Sequence, residues 1–208
     1  MSHQIILVDD HPAIRMAVAH LLEAEGLHVV AQTDNGADAL RLLERLQPCT
    51  VILDIGIPGI DGLTVINRIV AHNWAVKIIV LTGLEPAHLA SRCLQSGAHG
   101  FVNKQSDLCE VVNAVRAVQA NYSYFPSETC CSVGSAPGGE EQKKLESLSI
   151  RELRVLQQLV QGLSNKEIAD RMLLSGKTIS TYKARLLHKL NATSVVELFV
   201  IAKRNNLT

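Results

Sequence analysis

Asp9 and Asp10, Asp54, Thr82 and Lys104 each follow a short run of mostly aliphatic residues: Ile5-Ile6-Leu7-Val8, Val51-Ile52-Leu53, Ile78-Ile79-Val80-Leu81 and Gly100-Phe101-Val102. Three carboxylates at close quarters repel one another and invite a hard divalent cation. Mg2+ suits such a place, because it takes a few carboxylates and keeps water or phosphate oxygens for its other positions. A cation, an ammonium and a hydroxyl around a carboxylate make an apparatus for phosphoryl transfer, since the positive groups offset charge on the three equatorial phosphoryl oxygens. The carboxylate itself can be the nucleophile and become an aspartyl phosphate. Asp54, central among the others, is the candidate. Singly, each residue has a plainer role: an aspartate after a strand is a turn former or a cap, and a loop lysine is usually solvated. Their recurrence at strand ends is what points to a site.

Such a site requires elements that bring those ends together. Strands are expected at Gln4–Val8, His28–Thr33, Thr50–Leu53, Val76–Leu81 and Gly100–Val102. Helix-period segments lie between and after them at Pro12–Glu25, Ala37–Leu46, Leu63–His72, Pro86–Ser96 and Asp107–Ala120. Several runs are apolar without alternation, which marks strands covered on both faces. The series implies an α/β, doubly wound, five-stranded parallel sheet. With strand order 2-1-3-4-5 the residue-bearing strands are neighbours, and the order reverses at strand 1, where Asp9, Asp10 and Asp54 converge.

The chain has a second kind of chemistry in it. From Leu148 onward there are ten Lys and Arg against four Asp and Glu, whereas up to Phe125 there are eight against twelve. The net charge of zero hides an acidic half and a basic half, and the basic half suggests a polyanion binder. Ser149 with Glu152, Ser164 with Glu167, and Ser194 with Glu197 are spaced as capping boxes, and Ser175 is a looser start signal. Four short helices are expected in a small all-α domain. Helices over 165–172 and 177–190, joined by a short turn, have helix-turn-helix spacing. The second carries Lys177, Lys183, Arg185, His188 and Lys189 and no acid, beside small donors Thr178, Ser180 and Thr181.

Two families supply resemblances. Val8-Asp9-Asp10-His11-Pro12, Leu53-Asp54-Ile55-Gly56-Ile57-Pro58, Leu81-Thr82-Gly83 and Gly100-Phe101-Val102-Asn103-Lys104 resemble the receiver domain of two-component response regulators. The resemblance implies that Asp54 accepts a phosphoryl group, and that Asp9, Asp10, Asp54 and the Gly56 main-chain carbonyl hold Mg2+. It also implies that Lys104 pairs with the phosphate, and that Thr82 and Phe101 form the switch. Gln105 stands where many receivers have proline. Leu148-Ser149-Ile150-Arg151-Glu152-Leu153, Gly162 to Ala169, Lys177 to Ser180 and Lys189-Leu190 resemble the LuxR-type helix-turn-helix of NarL/FixJ regulators, with the BvgA/EvgA subgroup nearest.

The chain therefore reads as a receiver over 1–126, a flexible Gly/Ser/Pro-containing linker over 127–144, and a DNA-binding domain over 145–208. Ser180, Thr181 and Ala184 are expected to face base edges, with Lys166, Lys177, Lys183, Arg185 and Lys189 serving phosphates and Thr178 counted among the DNA-binding residues as a small donor. The implied partners are a hybrid sensor histidine kinase or phosphotransfer domain, double-stranded promoter DNA, RNA polymerase and a second copy of the chain. No enzymatic activity beyond slow autodephosphorylation is expected. Two other classes fit less well. A small phosphatase would need a second acid two residues after Asp54, where Gly56 stands. A constitutive DNA-binding protein would not need the acidic set. Five cysteines in no ligand spacing, no signal-like start and no long apolar run point to a reduced, cytoplasmic protein without membrane attachment.

Overall fold

The computed structural model describes residues 4–84, 86–126, 141, 144–145, 147–172, 174–205 and 207. It divides into two compact units, Met1–Gly134 and Ser135–Thr208. Most of the expected linker lies outside the described residues.

In the first unit, β1 (Gln4–Val8), β2 (Val29–Thr33), β3 (Cys49–Leu53), β4 (Val76–Thr82) and β5 (Gly100–Asn103) pair in parallel in the order β2-β1-β3-β4-β5. The helices are α1 (Pro12–Ala24), α2 (Gly36–Leu46), α3 (Gly62–Ala71), α4 (Pro86–Gln95) and α5 (Cys109–Gln119). Nearly every residue of β1, β3 and β4 is buried, as their unbroken apolar runs require. Edge strand β2 instead alternates half-buried and exposed positions. Ile5, Leu7, Ile52, Ile79 and Leu81 form one core with Val18 and Leu22 of α1 and with the valines of α5.

Register brings the strand ends together. Val8 lies opposite Leu53, and the Asp54 amide donates to the Val8 carbonyl at 2.8 Å, so Asp9 and Asp54 leave the sheet side by side. Thr82 pairs with Asn103, and the Lys104 amide donates to the Thr82 carbonyl at 2.8 Å. The loop after β3 is held close by glycine. A Cβ on Gly62, the first residue of α3, would stand 2.5 Å from Ile55 Cα and 2.8 Å from the Asp54 carbonyl oxygen. A Cβ on Gly36 would collide with the Ile60 carbonyl of the same loop. Both glycines are required by close approach rather than by a left-handed backbone.

The second unit is all-helical: α6 (Ile150–Val160), α7 (Asn165–Met172), α8 (Gly176–Leu190) and α9 (Val195–Arg204). Leu148, Leu153, Leu156, Ile168, Ile179, Leu186 and Leu198 meet in its core. Ser149–Glu152 and Ser164–Glu167 are reciprocal capping boxes. Ser194–Glu197 is only half of one. Ser194 accepts from the Glu197 amide, but the Glu197 carboxylate accepts from the Thr193 amide at 2.6 Å and from its hydroxyl at 3.0 Å.

Gly62→Ala should destabilise the first unit by about 1–3 kcal/mol, the usual cost of forcing atoms into a packed place. Trp74, the only tryptophan, lies in this unit, so its fluorescence during urea unfolding reads the effect there. An unchanged midpoint would mean that the loop after Asp54 yields freely.

Candidate functional site

The acidic cluster is built from three strand ends. Asp9 and Asp54 are fully buried and Asp10 is partly exposed. Lys104, its side chain only 9% exposed, places Nζ 2.6 Å from Asp9 Oδ2 and 2.8 Å from Asp54 Oδ2. Asp54 Oδ1 accepts from the Gly56 amide at 2.9 Å, which fixes its rotamer. Arg15 of α1 donates to the Asp9 carbonyl, and the His11 amide donates to Asp9 Oδ1 at 2.9 Å.

The residues fit a hard divalent cation. Three carboxylates against one ammonium leave an excess of formal negative charge. Asp9 Oδ2 and Asp10 Oδ1 are buried without a hydrogen bond of proper geometry, although each has a cation or ring nitrogen within 2.7 Å. One ligand atom from each of Asp9, Asp10, His11 and Asp54 lies within 4.8 Å of all the others. Oxygen donors of this kind suit Mg2+. His11 received no role from its sequence position alone; its place directly after two aspartates was the available signal.

The remaining predicted residues divide. Thr82 is fully buried at the end of β4, and its Oγ1 accepts from the Leu84 amide at 3.3 Å. Gly56 sits in the loop directly after Asp54, where its amide grips the carboxylate. The Phe101 ring is buried in the core, 1% exposed, rather than open to solvent. Its amide donates to the Tyr124 carbonyl at 2.7 Å, while the Tyr124 hydroxyl donates to Glu110 of α5. Beside Lys104, the Gln105 amide donates to Asn103 Oδ1 at 2.9 Å, a bond that a proline could not make.

On the second unit, α8 sorts its residues cleanly by helical repeat. Ile179, Leu186 and Leu190 face the core, while Lys177, Ser180, Thr181, Ala184, Arg185 and His188 form an exposed stripe. Lys166 is exposed near the start of α7. Lys183 is half-buried beside the stripe, and a lysine there can still extend its ammonium outward. Thr178 turns back to the helix start, its hydroxyl 2.8 Å from Ser175 Oγ. The helical repeat also brings in His188, which the sequence reading left without a role. Lys189 has partners inside the unit. Its Nζ donates to Glu152 Oε2 at 2.7 Å and to the Ser147 carbonyl at 3.2 Å, because Glu152 is buried on α6 and needs a counter-charge. Lys189 is thus a half-buried cation paired within this unit, beside the stripe rather than on it.

A family model for the response regulator receiver domain matches residues 5–116, and one for the LuxR family of bacterial regulatory proteins matches residues 146–202. The chain belongs to the LuxR-type response regulators. BvgA of Bordetella pertussis, described as a transcription regulator of virulence factors, is 52% identical over all of both chains. EvgA of Escherichia coli K12, described as a DNA-binding transcriptional activator, is 34% identical over 97% of this chain and 98% of its own. Among solved structures, RcsB of Salmonella enterica serovar Typhimurium, bound to a promoter with the phosphomimetic BeF3-, is 28% identical. It covers 97% of this chain and 98% of its own, with a TM-score of 0.62. The LuxR-type response regulators are transcription regulators of two-component systems rather than enzymes, which sets the phosphatase reading aside.

Burial pushes the Glu152 carboxyl up, but hydrogen bonds from Lys189 and Ser149 outweigh it and hold the group below the usual carboxylate value. A carboxyl held low in the folded state contributes stability at neutral pH that is lost as pH falls through its folded value. Lys189→Ala should therefore cost about 1–3 kcal/mol at pH 7, the usual size of a lost hydrogen bond between charged groups, with Glu152 left only its bonds to Ser149. The deficit should shrink in acid. Circular dichroism reads the helical transition, and Trp74 fluorescence, which reports the first unit, should not move. A deficit that is constant across pH would refute the pairing account.

Proposed function

We propose that Asp54 is the phosphoacceptor, and that its phosphorylation by a hybrid sensor histidine kinase or a phosphotransfer domain shifts the receiver towards a form that dimerises and binds promoter DNA. The observation that carries this reading is the Lys104 ammonium shared by the buried carboxylates of Asp9 and Asp54. The Asp54 carboxylate attacks phosphorus in a phosphohistidine; a P–O bond forms as the P–N bond breaks, and the product is an acyl phosphate. The Gly56 amide holds Asp54 in place for the attack. Lys104, freed from the Asp54 carboxylate by formation of the acyl phosphate, pairs with a phosphoryl oxygen instead. Thr82, at the end of the neighbouring strand, exchanges its bond with the Leu84 amide for one to the phosphoryl group, and the β5 segment bearing Phe101 follows. Asp9, Asp10, Asp54 and the Gly56 carbonyl would hold Mg2+, which supplies positive charge to the transferring group. The acyl phosphate is lost only slowly, by hydrolysis, and the chain catalyses no other turnover.

The domain limits supporting this division of labour are a receiver at 1–126, a linker at 127–144 and a DNA-binding domain at 145–208; the split into two compact units speaks for it. On α8, Ser180, Thr181 and Ala184 read base edges in the major groove, while Lys166, Lys177, Lys183 and Arg185 contact phosphates. No arginine stands among the three base-facing positions, so DNA shape carries part of the selectivity. The apolar face of α9, with Val196, Phe199 and Val200 exposed, supports pairing of two copies on DNA. No helix among the described residues is long and apolar enough to cross a membrane. The place of action is the cytoplasm, where promoter DNA and RNA polymerase are met.

Asp54→Asn should abolish phosphoryl incorporation from a phosphorylated kinase or a small acyl-phosphate donor, read as alkali- and hydroxylamine-labile label on the protein. Normal incorporation would remove Asp54 from its role. Arg185→Ala and Lys183→Ala should each weaken binding to all DNA sequences and lessen the slope of log affinity against log salt by about one. Lys189→Ala should leave that slope unchanged. A loss confined to one operator in the Arg185 or Lys183 variant would contradict the phosphate role.

A further inference from the structure

His11 is the member of the acidic cluster that the phosphoryl-transfer reading does not use. Its ring Nδ1 lies 2.7 Å from Asp10 Oδ1 and 3.2 Å from Asp9 Oδ1, the second contact having hydrogen-bond geometry. Octahedral bonds of about 2.1 Å put adjacent ligands about 3.0 Å apart and opposite ones about 4.2 Å apart. The ring nitrogen and the two carboxylate oxygens are therefore spaced as neighbouring ligands of one ion. Asp10 Oδ1 is buried and close to the ring without making a hydrogen bond of proper geometry, as two lone pairs directed at a shared point would be. Lys104 takes the other oxygen of Asp9, Oδ2, which leaves Oδ1 on the His11 side. The local backbone holds the imidazole there, since the His11 amide donates to Asp9 Oδ1 at 2.9 Å. The ring has no competing task in the helix: His11 is the N-cap of α1 but makes no side-chain cap bond, and its side chain is 55% exposed.

We propose that His11 is a direct ligand of the divalent cation at this site, and that its imidazole raises affinity for borderline transition cations such as Mn2+, Co2+ and Zn2+ above what the carboxylates alone confer. The inference rests on reading the cluster as a cation site and adds a nitrogen donor to it. Imidazole suits these ions, whereas Mg2+ prefers oxygen and keeps its water. The identity of the available cation then becomes a second input to the receiver, because a transition ion held by His11 competes with Mg2+ at the phosphoacceptor.

The test uses the full chain and His11→Ala, with Trp74 fluorescence confirming that the first unit stays folded. Mn2+ is bound to each, and electron spin-echo spectroscopy of the frozen complex looks for modulation from a directly coordinated 14N. The modulation should be present in the unsubstituted chain and absent in the variant. Calorimetric titration should show Mn2+ and Zn2+ affinity falling about tenfold or more in the variant, with Mg2+ affinity changed less than about twofold. Bound Mn2+ without a coordinated nitrogen, or equal transition-metal affinities in the two proteins, would overturn the proposal and leave His11 as a hydrogen-bond partner of Asp9. Failure of the unsubstituted chain to bind either Mg2+ or Mn2+ would overturn the cation-site reading as well.

Discussion

The Lys104 ammonium sits between Asp9 and Asp54, and none of the three side chains is more than marginally exposed. Charges taken out of water have to be paired, since removing one partner of such a group typically costs about 3–5 kcal/mol. This constraint accounts for much else in the first unit. Asp9 comes from β1, Asp54 from β3 and Lys104 from β5, so the charges meet only if the ends of those strands are drawn to one place. The order β2-β1-β3-β4-β5 does so, with β4 keeping Lys104 in line through the bond from its amide to the Thr82 carbonyl. Gly36 and Gly62 let the loop after Asp54 pack closely enough to keep the carboxylate in register. With Asp10 added, three carboxylates face one ammonium, and that excess of negative charge suits a divalent cation.

The second unit handles charge in the opposite way. Its single deeply buried acid, among the described residues of the unit, is Glu152, and it is matched by Lys189 from another helix. The other cations of α8 stay at or near the surface on the exposed stripe, available to a polyanion. One unit stores its charges in a pocket where a small change of covalent state alters the pairing. The other displays them on a helix face whose shape is fixed by a core of aliphatic residues.

Much of this arrangement is legible in the sequence because it follows from short-range patterns. Unbroken aliphatic runs identify the inner strands, and polar residues directly after them identify the site, so Asp9, Asp54, Thr82 and Lys104 can be placed before any coordinates are known. Local capping signals find the starts of α6 and α7 for the same reason. The features that escape are tertiary. Nothing near Lys189 in sequence reveals that a glutamate 37 residues earlier takes its charge. The close approach of Gly62 to Ile55 depends on how α3 leaves the loop. The turn of Glu197 towards Thr193, in place of Ser194, depends on a choice between adjacent donors, and the direction of the His11 ring depends on a backbone bond to Asp9. In each case the residue type was visible and its partner was not.

Under the proposed function, chemistry at Asp54 governs DNA binding by α8. The most direct measurement is capture of genomic DNA fragments by the purified full chain, with and without a small acyl-phosphate donor and Mg2+. The account predicts that the donor concentrates binding on a small set of promoter fragments and that Asp54→Asn shows no such change. Capture of the same fragments to the same extent with and without the donor would contradict it.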